Sequence, residues 1–372
     1  MLRVPVLSVT GDPLMPAKAS RVRRWLKSGK AKVVYNDLKI FAVQLVEETG
    51  CEVQPCILGI DPGKHFTGMA VQSAKFTLWL AHIQLPFKTV TERMSQRRMM
   101  RRNRRGRRIN RKRPYLQRNH RAKRFDNRRA SKLPPSIRAN RELELRVKGE
   151  LIKIFPIEAV VYEIVKARGD KGFSPVMVGQ NWMLEALTKG CEDSILTSQE
   201  GWLTASLRQQ LRLSKNKDDK SLCVPETHAV DGVALAASYF VRYRQLKNRQ
   251  GWWEGEIRVT SAPFTVIRRP PICRRQLHLM VKAKGGIRRK YGGTVTRHEL
   301  SKGDYVRAEQ AGRVYYGWVS GDTERQVSVS DVNWKRLGQF CAKKVQLLQR
   351  STGLIVVPSA RLSNLAASNG EI

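Results

Sequence analysis

The chain has 372 residues, with 70 Lys or Arg against 31 Asp or Glu and a net charge of +39 at pH 7. That length supports two or three domains and at least one sizeable core, and a charge so unbalanced repels itself unless a polyanion, nucleic acid first of all, shares the structure. A membrane fits poorly: there is no apolar run of about 18 residues, no signal-peptide core, and no long basic amphipathic helix with a Leu/Trp face.

In chain order, "VPVLS" predicts a strand, "TGDPLMP" a turn-rich segment, "ASRVRRWLKSGKAKVVY" a basic helix closing at Gly29, and "KIFAVQLVE" a strand with alternating apolar positions. "ILGID" and "TGMAVQ" flank a Pro-Gly turn as a hairpin, and "LWLAHIQL" continues the sheet. From Arg93 to Arg129 the chain then holds 18 Lys or Arg and one acid, Asp126. The run lies between foldable segments, so a disordered tail is not expected. It favours Arg, whose planar fork grips phosphate bidentately. A long arginine helix that folds against nucleic acid follows, with Arg97, Arg98, Arg101, Arg102, Arg104, Arg105, Arg107, Arg108, Arg111 and Arg113 facing phosphates.

"LPPSIRANRELELRVKGELIKIF" (133–155) restarts as a helix and "IEAVVYEIVK" (157–166) is a buried strand. The interval from Lys166 to Cys223 is polar, with Trp182 and Trp202 as anchors, and "THAVDGVALAASYFVRY" (227–243) is a helix. From about Leu246, short strands and Gly/Pro turns at regular spacing predict a small antiparallel barrel, rich in Arg, Lys, Trp and Tyr. Cys51, Cys56, Cys191, Cys223, Cys273 and Cys341 never form a C-x-x-C pair, which argues for free thiols rather than a zinc ribbon.

Three acids carry the chemistry. Asp61 ends the first strand of its sheet, Glu163 ends a later strand, and Asp231 starts a helix with His228 three residues before it. Gathered at one sheet edge, such carboxylates hold protons unless cations neutralise them. Two divalent ions about 4 Å apart do so, activate water and stabilise the leaving oxygen of a phosphodiester. Magnesium is expected, with manganese as a substitute, and His228 steers or deprotonates the water. Each residue also has a plain structural alternative: Asp61 capping its turn, Glu163 pairing with an arginine, and His228 with Asp231 capping a helix start.

"GIDPGKHFTGMAV", "VVYEIVK" and "HAVDGVALA" resemble the three segments of a RuvC-type, RNase H-fold nuclease. The arginine run lies between the first two, as the bridge helix does in RNA-guided RuvC enzymes. "PLMP" (13–16), "RRQLH" (274–278) and "GGIRRKYGGTVTRHELSKGDYV" (285–306) resemble motifs of the transposon-encoded IscB proteins. The interval between Glu163 and His228 holds no histidine and no cysteine pair, so the likeness is to IsrB, the form without an HNH nuclease. The fold implied is α/β: an RNase H-like (RuvC) core split by an arginine-rich bridge helix, with a small N-terminal αβ (PLMP) domain and a small C-terminal β-barrel-like domain. The boundaries expected are 1–52 (PLMP), 53–92 (RuvC segment I), 93–132 (bridge helix), 133–245 (RuvC segments II and III) and 246–372.

The resemblance further implies a large structured guide RNA and a target duplex as partners, no membrane, no required protein partner, and a prokaryotic cytoplasm with the nucleoid at hand. It implies a nick on the non-target strand beside a short adjacent motif, for which Arg274, Arg275 and Gln276 are the candidate readers. Base pairing would read the sequence, and the protein the backbone shape and flanking motif. The alternatives are a guide-independent RuvC-like or transposase-type endonuclease, an ATPase of the actin or sugar-kinase superfamily, and a binding protein without activity. The ATPase lacks a second glycine-rich phosphate loop, and a pure binder gains nothing from unneutralised acids beside DNA.

Overall fold

The computed structural model describes residues 2–107, 110, 112–117, 133–166, 175–189, 195–247, 250–272, 277–280, 288–291 and 293–363. The chain divides into two compact units. The first takes residues up to Leu85, Ile137–Arg268 and Val356 onward; the second takes Pro86–Ser136 and Arg269–Ile355.

The first unit opens with a small αβ layer: β1 (Arg3–Leu7), β2 (Pro13–Lys18), α1 (Ala19–Lys27), β3 (Ala31–Tyr35) and β4 (Phe41–Leu45), in sheet order β2-β1-β4-β3. Val22 of α1 is buried with Val4, Val6, Val43 and Leu45, while Arg23, Arg24 and Lys27 face outward. One expectation changes here. The "PLMP" stretch expected as turn is strand β2, because Leu14 and Pro16–Ala17 fill the core side. The helix closes before Gly29 as expected; at φ +72° this glycine lets the chain reverse into "AKVVY", strand β3.

A second, larger sheet follows. β5 (Cys56–Pro62), β6 (Phe66–Ser73) and β7 (Thr77–Gln84) form an antiparallel meander, buried on both faces along almost its whole length. After α2 (Phe87–Arg107), which belongs to the second unit, come α3 (Pro135–Ile152) and β8 (Ile157–Ile164), the latter parallel to β5. Pro156 stops α3 short of the expected end at Phe155. α4 (Pro175–Lys189), β9 (Ile195–Glu200) and α5 (Gly201–Gln210) occupy the interval read as polar, and β9 runs parallel to β8. Trp182 and Trp202 are only half-buried; Met183, Leu187 and Leu207, fully buried, anchor these helices instead.

α6 (Ala229–Ala237) is shorter than the helix expected over 227–243. Tyr239 and Phe240 turn out of it to pack on the core, and "RYRQLK" becomes β10 (Arg242–Lys247), paired with β11 (Gln250–Glu254). β12 (Ala262–Arg268) then runs parallel to β7. The C-terminal strand β20 (Ile355–Ser363) closes the far edge, giving the seven-stranded order β20-β12-β7-β6-β5-β8-β9. Two strands expected in a separate C-terminal barrel therefore extend this sheet. The protein is mixed α/β.

In the second unit, β13 (Leu277–Met280) and β14 (Arg288–Tyr291) form a hairpin. β15 (Tyr305–Gln310), β16 (Arg313–Asp322), β17 (Gln326–Ser330), β18 (Arg336–Cys341) and β19 (Val345–Gln349) form an antiparallel sheet of order β18-β17-β16-β15-β19. β20 (Ile355–Ser363) carries the chain back to the first unit. Val306, Ala308, Val319, Val327, Val329 and Phe340 make the core of the five-stranded sheet. Buried Asp304 ties its two ends, accepting hydrogen bonds from the Ser301 and Ser351 amides and from Arg350. Cys51, Cys56, Cys223 and Cys341 are free thiols, as the sequence leads one to expect.

Candidate active site at the end of the seven-stranded sheet

β5 and β8 run side by side, and their register ends on the pair Ile60–Tyr162. Asp61 and Glu163 come next on each strand, so two acids reach the same sheet end as neighbours. The third acid arrives from α6, which lies directly on the sheet because glycines remove the side chains between them. A Cβ on Gly59 would stand 2.0 Å from the Gly232 carbonyl oxygen, and one on Gly68 would stand 1.9 Å from the His228 carbonyl oxygen. Such an approach requires glycine. It brings His228, which precedes the first turn of α6, to 4.0 Å between Nδ1 and Asp61 Oδ2, and buries Asp231 in the first helical turn.

The electrostatics report crowding. Asp61 is held well above the usual carboxylate range, first by burial, then by the charges of Glu163 and Asp231, with Lys215 pulling the other way. Burial also raises Glu163; a hydrogen bond from Thr204 opposes this, Asp231 adds to it, and Lys215 and Arg208 offset it. Asp231 has partners of its own: Arg208 of α5 binds Oδ1 and Lys215 binds Oδ2. It does not act as a helix cap, since α6 carries no side-chain cap bond. Among the described residues, no three His, Cys, Asp or Glu side chains stand close enough together to hold an ion as they are. The donor chemistry nevertheless fits hard divalent cations, which take carboxylate oxygens. The raised carboxylates mark negative charge that the two basic side chains leave unbalanced.

Burial, first of all, lowers the pKa of His228 and so favours its neutral form. Its Nε2 lies 3.1 Å from the Lys220 carbonyl oxygen, which only accepts, so Nε2 carries the proton and Nδ1 turns a lone pair toward Asp61. The ring packs against Phe66 and His82, with centroids 5.4 and 5.2 Å away. Burial, then the neighbouring His228, pushes His82 down to about 4, and its Nδ1 meets the Thr227 hydroxyl at 3.1 Å.

A buried polar network fixes the turn after Asp61. The Arg141 guanidinium of α3 donates to the Gly63 carbonyl at 3.0 Å and to the Tyr162 hydroxyl at 2.6 Å, and pairs with Glu144 at 2.9 Å. Glu144 accepts from the Thr67 hydroxyl, whose oxygen faces the Gly63 amide, and Asn140 donates to the Lys64 carbonyl at 3.0 Å. Breaking such a buried pair on one side costs about 3–5 kcal/mol. Sequence reading missed Arg141, Glu144, His82, Thr204, Arg208 and Lys215. "RELELR" shows the i,i+3 spacing of Arg141 and Glu144, but that spacing is equally that of a solvent-exposed pair.

On α2, Arg97, Arg98, Arg101 and Arg102 sit on a continuous helix that Gly106 does not break. The backbone at Arg104, Arg105 and Arg107 belongs to the same helix. Arg113 does not: it stands beyond the helix end, exposed, before a short 3-10 turn at Tyr115–Gln117. Arg108, Arg111, Arg274, Arg275 and Gln276 lie outside the described residues. Arg93 anchors the helix within its unit by donating to the Ile272 carbonyl at 3.0 Å.

A search among curated proteins returns no match. A family model does match, over residues 4–175, a stretch that contains Asp61, Glu163 and the sequence Arg-Arg-Asn-Arg-Arg at 101–105, and ends before His228 and Asp231. That stretch is thereby similar to the RRXRR proteins, the family of IscB- and IsrB-type nucleases.

Proposed function

We propose that this chain is an RNA-guided DNA nickase of the IsrB kind, which cuts the non-target strand by phosphodiester hydrolysis in an RNase H-like core. The observation that carries the reading is the meeting of Asp61, Glu163, Asp231 and His228 at one sheet end. The strand order β7-β6-β5-β8-β9, three antiparallel strands followed by two parallel to the first, supports an RNase H-like core. The RRXRR similarity and the arginine helix support nucleic acid as substrate and partner.

Asp61, Glu163 and Asp231 would hold two magnesium ions, or manganese in their place, whose chemistry is to activate water and stabilise the departing oxygen. The protein's own part is positional. α3 holds the turn that carries Asp61, the close glycine approach holds α6 against the sheet, and the Lys220 carbonyl keeps the His228 Nδ1 lone pair available for a water proton. A single acid centre cuts one phosphodiester at a time. The paired target strand is held in its heteroduplex while the displaced strand stays flexible enough to enter the site.

With guide RNA and magnesium supplied, a duplex labelled differently on its two strands is expected to show a nick on the non-target strand alone, on a denaturing gel. Comparable cutting of the guide-paired strand would remove the one-site account, and cutting without guide would favour a structure-specific endonuclease. RNA binding has its own test. Replacing Arg97, Arg98, Arg101 and Arg102 together by Gln should weaken it and flatten the slope of log affinity against log salt by about 0.7–0.9 for each phosphate left without its arginine. An unchanged slope would mean that this face of α2 meets no phosphate.

A further inference from the structure

Asp231 is 3% exposed, and both of its oxygens are engaged by cations. Arg208 takes Oδ1 and Lys215 takes Oδ2. Two basic side chains on one buried carboxylate exceed what that carboxylate needs. The surplus is met by Asp61 and Glu163, on both of which the Lys215 charge acts. Three acids thus face two bases, and the more exposed of the two bases is the lysine.

The two bases are anchored differently. Arg208 belongs to α5, next to fully buried Leu207, and is itself 8% exposed. Lys215 stands on the segment between α5 and α6, with a quarter of its side chain exposed. The backbone around it is tied down: the Leu213 amide bonds to the Arg208 carbonyl, and the Asn216 amide to the Glu226 carbonyl at 2.8 Å. Asn216 Oδ1 in turn accepts from the Asp218 and Asp219 amides. A fixed backbone with a four-carbon stem and a compact ammonium can withdraw into water without moving the chain; a buried guanidinium on a helix cannot.

Building on the metal-dependent nuclease reading, we propose that Lys215, backed by Arg208, is the resting counter-ion of the acid centre, so that a divalent cation enters by exchange for the Lys215 ammonium. Without metal the lysine relieves the repulsion among the acids. With metal it is a like charge that must leave, so it weakens cation binding while stabilising the unloaded protein.

The experiment measures Mn2+ binding to the full chain by titration calorimetry, without substrate, counting as site binding the part that Asp61→Asn abolishes. Lys215→Gln is expected to bind roughly tenfold more tightly than wild type, the direction set by removing one like charge a few ångströms from a dication. Its Tm in EDTA is expected to be lower. Lys215→Arg, whose fork holds Asp231 more firmly, is expected to bind more weakly than wild type, and it serves as the test should the glutamine variant not fold. Unchanged Mn2+ affinity in both variants, with wild-type binding intact, would overturn the exchange role alone. If neither wild type nor variants bind Mn2+ at the Asp61 site, the metal-dependent reading itself falls, and the exchange role with it.

Discussion

Asp61→Asn should leave a chain that still binds nucleic acid, cuts it at least about 10²–10³-fold more slowly, and is more thermally stable than wild type in EDTA. The first two results follow from the division of labour in the site, since affinity comes from phosphates gripped elsewhere while the carboxylate acts on the reacting bond. The third follows from crowding. Asp61 sits well above its usual pKa because burial, Glu163 and Asp231 all disfavour its charge. An acid whose folded pKa is raised leaves stability intact below its unfolded pKa, about 3.9. That stability is lost as pH rises through the folded value, because the unfolded chain gives up its proton first. In EDTA the wild-type Tm should therefore fall as pH climbs from about 4 toward neutrality, and Asp61→Asn should flatten that fall. Each kcal/mol relieved is worth about 1–2 °C in a chain of this size. Glu163→Gln should behave the same way, its pKa being raised first by burial. Asp231→Asn should differ. It abolishes cutting too, but strips Arg208 and Lys215 of their partner, so it gains no stability. Thermal scans across pH in EDTA, beside a single-turnover cleavage assay, separate these outcomes. A variant that keeps full activity would take its residue out of the site.

That contrast also marks what a sequence reveals. Asp61 is legible because an apolar strand, a proline and two glycines fence it, and no buried carboxylate is left without a partner. Glu163 is legible for the same reason, at the end of "VVYEI". Lys215 is not legible. It is one of 70 basic residues in a polar stretch, and nothing local distinguishes a lysine that folds onto an acid from one that faces water. Arg141 and Glu144 hide similarly, because their spacing is that of an ordinary surface pair until β6 and β8 close over them. β12 and β20 escape for a different reason. Their short alternating pattern suits any small antiparallel sheet, and only long-range pairing with β7 and with each other assigns them to the larger one.

The glycine seat under α6 gives the other large effect. Gly59→Ala places a Cβ 2.0 Å from the Gly232 carbonyl oxygen and 2.6 Å from the Ala236 amide nitrogen; Gly68→Ala places one 1.9 Å from the His228 carbonyl oxygen. All of these neighbours are backbone, so no side chain can rotate aside, and the helix itself must lift from the sheet. Overpacking of this kind costs about 1–3 kcal/mol, occasionally more, and a clash with rigid backbone belongs at the upper end. The lift acts on the site directly, because Asp231 and His228 ride on the same end of α6. A displacement of about 1 Å can cost about 10²-fold in rate. Both variants should therefore lose Tm and activity together, unlike Asp61→Asn, which loses activity while gaining Tm. Gly149→Ala is the control. It lies in α3 with nothing within 4 Å of the added carbon, so it should gain up to about 1 kcal/mol of helix stability and cut normally. Wild-type Tm and cleavage in Gly59→Ala would mean that α6 does not rest on the sheet at this glycine, and the position of Asp231 would need another cause.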